Sequence, residues 1–424
     1  MYDKPDEEKS FLEKMQYWLR EESDMQWLSI GVFFMIVIAG AFFFDHSNVI
    51  PGWVQSDVAE QGTLMDIDWN DEGDKALAIF LDNGTKNLMS WDVENGWKSI
   101  EHDSEPNAVD FSGLDQWFIG TNDGIELWTG VGESSTSWVM NWADNSSSKR
   151  IVDISSLGGV SGFIITQSMD GSEVHYFSGT EVSSGTTPPS TGSDGNGEGH
   201  VQLTHVEMIG TQRALVIGSS SVFGVNPTNA LTIGTLYDVS AADTGSPNVQ
   251  LIHSKAGVEL SQIISLNDKF WGDEYIAAVI GPTDCLIISM DGIVSKLCDE
   301  GGSSAAIDSY GALWISSATN SLEVNKITPN EDKDGEISYV TRNLQLPENY
   351  EINSRLAKSS GEKVHFYGTN DNGIEVKGVL DSEASQSVLR SLDMLGQLVV
   401  FVIAISVFGA TAWQFYENRG RGSW

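Results

Sequence analysis

The sequence predicts an all-β domain built from a repeated unit and held between two membrane-spanning helices. Two features carry this reading: an uncharged apolar stretch near each end of the 424-residue chain, and a recurring strand–turn–strand rhythm between them. The first stretch, Trp27 to Phe44, has Ser29 as its only hydroxyl, and the second, Met394 to Trp413, has Gln397 as its only amide. Each is close to the ~20 apolar residues that a helix needs to cross a ~30 Å hydrocarbon core.

Charge orients the chain. Lys9, Lys14 and Arg20 precede the first stretch and Arg419 and Arg421 follow the second, whereas the first base after Phe44 is Lys75. Basic residues beside a span stay inside, so both termini are expected in the cytoplasm, with the middle outside the cell membrane. Trp18, Trp27, Trp413, Phe415 and Tyr416 suit the two interfaces. A cleaved signal peptide is the rival reading of the first stretch, because Ala39 and Ala41 offer a small-residue site. The eight acids and four bases that precede it make a poor leader.

The expected organisation follows in order. Residues 1–26 form a cytoplasmic amphipathic helix, opened by the capping box Ser10-Phe11-Leu12-Glu13 and striped by Phe11, Leu12, Met15, Trp18 and Leu19. Residues 27–44 are the first transmembrane helix and 45–380 the repeat domain. Within it, residues 178–199 consist almost wholly of Gly, Ser, Thr, Pro and acids, and are expected to stay disordered. Residues 381–393, with Ala384, Val388, Leu389 and Leu392 and no Gly or Pro, predict a helical stalk. Residues 394–413 are the second transmembrane helix and 414–424 a cytoplasmic tail.

The repeats define the domain. Asp66 to Val93, Ala108 to Trp128 and Ile151 to Phe177 each read as a strand, a polar turn, an apolar strand, an Asn/Asp-Gly turn and a third strand. The turns are Asn83-Gly84, Asp123-Gly124 and Asp170-Gly171. More degenerate units follow at Leu203 to Lys255, Leu260 to Asp299, Ser304 to Leu344 and Glu351 to Leu380. Seven units of roughly 40–50 residues match the period of four-stranded propeller blades. The seventh lacks a fourth strand, and Trp53 to Val58 lies spare at the other end of the domain. Lending that strand to the last blade closes the ring, covers the open edges and brings the two domain ends together.

The first unit also resembles the WD40-like and YVTN-like propeller superfamily. Trp69-Asn-Asp-Glu-Gly73-Asp-Lys-Ala-Leu-Ala is similar to that family's first turn, and Trp91-Asp92 stands where its third strand ends. The other units keep the rhythm, but most lack the Trp-Asp dipeptide and none has the Gly-His signature. The resemblance implies blade geometry and is silent on activity. A β-sandwich array or an open solenoid is the alternative fold.

The chain holds 60 acids against 23 bases. Setting aside residues 1–44 and 395–424 leaves 51 acids and 17 bases in the outer part. That balance excludes nucleic acid and anionic lipid as partners. The two cysteines flank Asp291-Gly292. A two-residue turn there pairs Met290 with Ile293 and, outward, Cys285 with Cys298, in the ~4.5 Å non-hydrogen-bonded geometry. A disulfide between them is expected in an oxidising location, with two buried thiols as the alternative.

Chemical motifs are few. The histidines (His46, His102, His175, His200, His205, His253, His365) are scattered, and neither a nucleophile elbow nor a phosphate loop is visible. Thr369-Asn-Asp371-Asn-Gly373 resembles the Asp-box turn of sialidase-like propellers, but Arg150, Arg213, Arg342, Arg355 and Arg390 form no carboxylate-binding trio. No cofactor is expected beyond Ca²⁺. The candidate ligands are Asn330, Asp332, Asp334 and Glu336, at the alternating spacing of a calcium loop, although Thr341 stands where a bidentate Glu belongs. A solvated acidic hairpin is the plainer reading. Asn83 and Asn145 match the N-glycosylation pattern. Trp97, Trp138 and Trp142 fall near strand ends, where they either pack the blades or form an exposed contact surface.

These features favour a non-enzymatic, membrane-anchored interaction or assembly scaffold with a membrane or extracytoplasmic protein partner. The alternatives are an extracytoplasmic sensor or binding protein for a glycan or cation, and a degenerate propeller hydrolase.

Overall fold

The computed structural model describes residues 50–384, apart from 51, 59–61, 144–148, 169–170, 191–200, 223–230, 242–244, 267, 299, 332–336 and 348. Among the described residues no helix is long and apolar enough to cross a membrane. The predicted spans 27–44 and 394–413, helix 1–26 and tail 414–424 lie outside them.

The described chain forms seven sheets, six antiparallel ones of four strands and one of five that is antiparallel except for its outermost pair. They correspond one to one with the seven repeats, and the fold is an all-β seven-bladed propeller. The inner strands of blades 1 to 7 are Thr63–Trp69, Pro106–Gly113, Arg150–Leu157, Val201–Gly210, Gln262–Ser265, Gly302–Ile307 and Asn353–Ser360. The second strand of each blade is buried on both faces and reads as a continuous apolar run, as a strand packed between neighbouring sheets must. Leu77 and Ile79, Leu215 to Ile217, Ala277 to Ile280 and Leu313 to Ile315 are all fully inaccessible. The core therefore lies between blades. One cluster joins Leu77, Ile79 and Leu88 of blade 1 to Val109, Trp117, Ile119 and Trp128 of blade 2.

The ring closes as the sequence predicts. Strand Trp53–Asp57 pairs antiparallel with Glu375–Asp381 in blade 7, with Trp53 opposite Leu380 and Asp57 opposite Val376. The Trp53 indole packs 5.5 Å from the Phe366 ring. It can lie flat there because position 378 is glycine: a Cβ would stand 2.2 Å from an indole carbon.

Two local expectations need correction. The segment 178–199 is ordered in its first half: Glu181–Val182 pairs with the end of Gly171–Ser178, Val182 is buried, and the Tyr237 hydroxyl donates to Pro189 O at 3.1 Å. A tight turn at Gly179-Thr180 and one well-placed valine anchor a segment whose composition argued for disorder. The short strand Asn141–Trp142 then adds to this edge in parallel, making blade 3 five-stranded. Asp381 Oδ1 accepts from the Ala384 amide at 3.0 Å as a helix cap, and the rest of the expected stalk 381–393 lies outside the described residues.

The cysteine hairpin is the second correction. Cys285 and Cys298 are bonded, with Cα atoms 5.3 Å apart. Their register, however, is shifted by one residue: Leu286 faces Lys296 and Ile288 faces Val294, so Leu297 rather than Cys298 stands opposite Cys285. Met290, Asp291 and Gly292 form a three-residue loop, with Gly292 at φ +77° and its amide donating to Ser289 O. The bridge therefore runs diagonally, at a separation that ordinary disulfides prefer.

Of the two readings of the tryptophans, packing describes their places. Trp142 is buried and lies edge-on to His175 at 5.1 Å, while the half-buried Trp97 and Trp138 lie edge-on to Phe80 and Phe118. All three pack the outer parts of their blades.

Candidate binding site in the central channel

The inner strands share one departure from regular pleating. Six of the seven carry a β-bulge in their first half, as between Leu64 and Asp66, Ile151 and Asp153, or Leu203 and His205. A bulge re-aims the residue that follows it. Four of those residues, Asp66, Asp153, His205 and Leu356, line the ring's axis, where a cavity of about 450 Å³ is also bounded by Asp110, Glu207, Arg355 and Lys358, among others.

The carboxylates perform a repeated structural task. Asp66 and Asp68 of blade 1 accept the amides of Val109 and Phe111 in blade 2, each at 2.8 Å. Asp110 accepts the Ser156 amide of blade 3 at 2.9 Å, and Asp153 accepts the Val206 amide of blade 4 at 2.7 Å. Gln262 does the same with an amide side chain: its Oε1 accepts from Ala305 in blade 6, and its Nε2 donates to Ala357 O in blade 7, each at 3.0 Å. Blades 1, 2, 3 and 5 thus each satisfy an inner-strand amide of the next, a group that would otherwise be a costly orphan.

Five carboxylates meet two cationic groups. Lys358 of blade 7 lies 3.6 Å from Asp68, and His205 Nδ1 lies 2.8 Å from Asp153. Burial pushes the Asp66 carboxyl up to about 6, against the pull of Lys358 and with help from Asp153. Burial likewise raises Glu207, and burial together with Asp68 raises Asp110 well above the usual range. For His205, burial opposes the imidazolium, but the contact with Asp153 outweighs it and the pKa rises. Lys358 is raised too, since Asp68, Asp66 and Glu207 overcome its desolvation. The channel holds its cations firmly and its carboxylates reluctantly, so it suits a positively charged visitor better than an anion.

The residues singled out from sequence lie elsewhere. Asp332, Asp334, Glu336 and Asn145 are outside the described residues. Asn330 is in the strand Glu323–Glu331, and its carbonyl accepts from the Ser338 hydroxyl. Among the described residues no group of three His, Cys, Asp or Glu side chains is placed to hold a metal. Asn83 is exposed at a hairpin turn, at φ +49°. In the Asp-box-like turn, Asn370 Oδ1 caps the amides of Asn372 and Ile374, each at 3.0 Å. Trp69 and Trp91, from the propeller-like motif, enclose the Lys377 ammonium together with Tyr367, at 4.9, 5.6 and 5.5 Å, and so fasten blade 7 to blade 1. Two hydroxyl–imidazole pairs, Ser360 with His365 at 2.7 Å and Thr166 with His175 at 3.0 Å, are buried among packed side chains.

The channel ligands were missed in the sequence although Asp66, Asp68, Asp110 and Asp153 recur in its repeats. The usable signal was their spacing: an acid on the first strand of three consecutive units, each flanked by apolar residues.

No family model matches the chain, and no curated protein matches it. Among solved structures, the extracellular domain of a protein described as a hybrid two-component system from B. thetaiotaomicron aligns at 10% identity and TM-score 0.44. The alignment covers 77% of this chain and 39% of that one, so the chain spans about two fifths of that relative. A calcium-binding protein, regucalcin, from Agrobacterium tumefaciens aligns at 9% identity and TM-score 0.42, over 78% of this chain and 95% of its own. A puromycin hydrolase aligns at 9% identity and TM-score 0.46, over 73% and 50%. Similarity of this degree says nothing about what the chain binds or catalyses.

Proposed function

We propose that this protein is a membrane-anchored, extracytoplasmic propeller that acts as an interaction or assembly scaffold, without catalysis. One observation carries the reading. The pairing of Trp53–Asp57 with Glu375–Asp381 brings the two ends of the propeller to one edge, where the Asp381 amide donates to Gly52 O at 3.3 Å. Adjacent exit points are what two neighbouring transmembrane helices require, and the apolar stretches 27–44 and 394–413 lie just beyond them. A closed ring on two tethers is a rigid platform for a partner. Crosslinking in native membranes followed by mass spectrometry tests this: recovery of a stoichiometric membrane or extracytoplasmic protein partner is expected. Recovery of the chain alone, with no protein partner, rejects it.

A second reading, an extracytoplasmic binding protein, is favoured by the channel. Four carboxylates, Asp66, Asp110, Asp153 and Glu207, line the 450 Å³ cavity with His205 and Lys358. Arg355, also in its wall, is taken up by Glu375, so an excess of negative charge remains. A cation or the cationic group of a ligand fits that excess. A small cationic molecule that co-purifies and is lost in Glu207→Gln would support it.

A further inference from the structure

Both ends of the propeller leave from the face formed by the first and third turns of the blades. The Ser382 amide donates at 2.9 Å to Glu362 O, in the first turn of blade 7, and Asp381 is bonded to Gly52 beside it. Contacts between blades show that the corresponding turns share this face. Lys75 after the first turn of blade 1 pairs with Asp115 in the first turn of blade 2 at 2.7 Å, and the Trp271 indole donates to Gly311 O, from blade 5 to blade 6, at 2.8 Å.

The same face carries most of the exposed apolar side chains. Leu114 is 93% exposed, Val131 81%, Val93 68%, Val160 65% and Ile293 63%, and every one lies in a first or third turn. Among the described residues, the turns of the opposite face expose Val139 at 75%, and Tyr350 and Ile374 at only 36% and 41%. Leu114 is the least expected of the set. It and Asp115 sit at φ +54° and +55°, a conformation that favours Gly or Asn. A strained, unpacked leucine has no role in holding its own hairpin. Val131 is beside it, since the Gly130 amide donates to Asp115 O at 2.7 Å.

We infer that this face rests on the surface of the lipid bilayer, with Leu114, Val131, Val160 and the Met290–Ile293 turn entering the interfacial layer. The inference rests on the anchored reading proposed above. Residues 45–52 can span at most about 28 Å even when fully extended, so a propeller tethered through them stays within reach of the lipid. Leu114 and Val131 lie side by side on this face, and partial insertion of apolar loop tips is a reversible, area-dependent contact. The lipid favoured is neutral. Asp71, Glu72, Glu94 and Asp291 occupy the same turns, and the chain carries a net charge of −37, so anionic headgroups repel this face.

The test uses the full chain in phosphatidylcholine vesicles. Leu114→Cys, Val131→Cys and, on the opposite face, Ile374→Cys are labelled with an environment-sensitive fluorophore; Cys285 and Cys298 do not compete, being bonded to each other. Blue-shifted emission and quenching by shallow spin-labelled lipid are expected at 114 and 131 but not at 374, and weaken when anionic lipid is added. If the protein survives a carbonate wash yet all three labels report water, the lipid contact is overturned while the anchor stands. Labels at 114 and 131 that are wet in pure lipid but shielded in native membranes overturn it in favour of a protein cover. A chain that leaves the vesicles in carbonate overturns the anchor and the inference together.

Discussion

Trp53 and Leu380 face each other across the last blade although they come from opposite ends of the propeller sequence, and the indole fills the space left by Gly378. The closure is therefore a packing contact as well as a hydrogen-bonded ladder. It removes the two free edges that an open array of seven sheets would expose.

Trp53→Ala is accordingly expected to cost about 3–5 kcal/mol, the usual range for truncating a buried tryptophan. Gly378→Ala should also destabilise, because its methyl would overlap the indole. Urea unfolding of both variants checks this. A Trp53→Ala protein as stable as the parent would show that the N-terminal strand is only laid against the ring.

The disulfide closes a short loop, from Cys285 to Cys298. The chain-entropy argument assigns such a loop on the order of 3 kcal/mol. Cys298→Ser should lose about that much or less, with blade 5 loosened and the ring kept. In the unreduced protein, denaturation in the presence of an alkylating agent should add no mass. Alkylation at either cysteine would show that the bridge is absent.

The fold was legible wherever local pattern and global role agree. Seven apolar second strands, Asn83-Gly84 and its counterparts, and the spare Trp53 strand all declare themselves, since strands buried on both faces need continuous apolar runs. Two features were not legible, for one physical reason. The hairpin at Met290 to Gly292 adds a third residue to a turn whose Asp-Gly suggests two, and the bulges before Asp66, Asp153 and His205 insert a residue into a period of two. A single extra residue leaves composition unchanged and turns the side chains beyond it to the other face. The channel was therefore hidden although its carboxylates were in plain view. The strand paired with Trp142, Glu181–Val182, was hidden too, because it lies in a segment whose composition argued for disorder.

His205 should titrate above the ordinary histidine range because Asp153 stabilises its protonated form against the cost of burial. In Asp153→Asn that support is gone and only Glu207 still opposes burial and Lys358, so the pKa should fall. Two-dimensional NMR of the imidazole carbons over a pH series reads this directly. An unchanged His205 titration in Asp153→Asn would mean that solvent in the channel screens the pair.

Asp66 sets the pH dependence of the channel. Its carboxyl rises from 3.8 in the unfolded chain to about 6 in the fold. The folded state then binds more protons than the unfolded one between those values, so stability falls as pH rises through that window. Asp110 and Glu207 are shifted the same way by burial, and the raised His205 acts in the same direction, since its contribution is present below 6.5 and lost above its folded pKa. The thermal midpoint should therefore climb as pH is lowered from 7 to 5, where most proteins gain nothing. The acidic surface contributes a similar slope, so the informative quantity is the difference between the parent and Asp66→Asn. That variant cannot take up the proton and should lose the part of the slope due to Asp66, on the order of 2 kcal/mol across the window. Asp57→Asn, on the exposed closing strand, removes the same charge without touching the channel and should leave the slope as it was. If Asp66→Asn and Asp57→Asn give parallel curves, the surface alone governs the response, and the channel carboxylates are ionised in the fold as freely as in water.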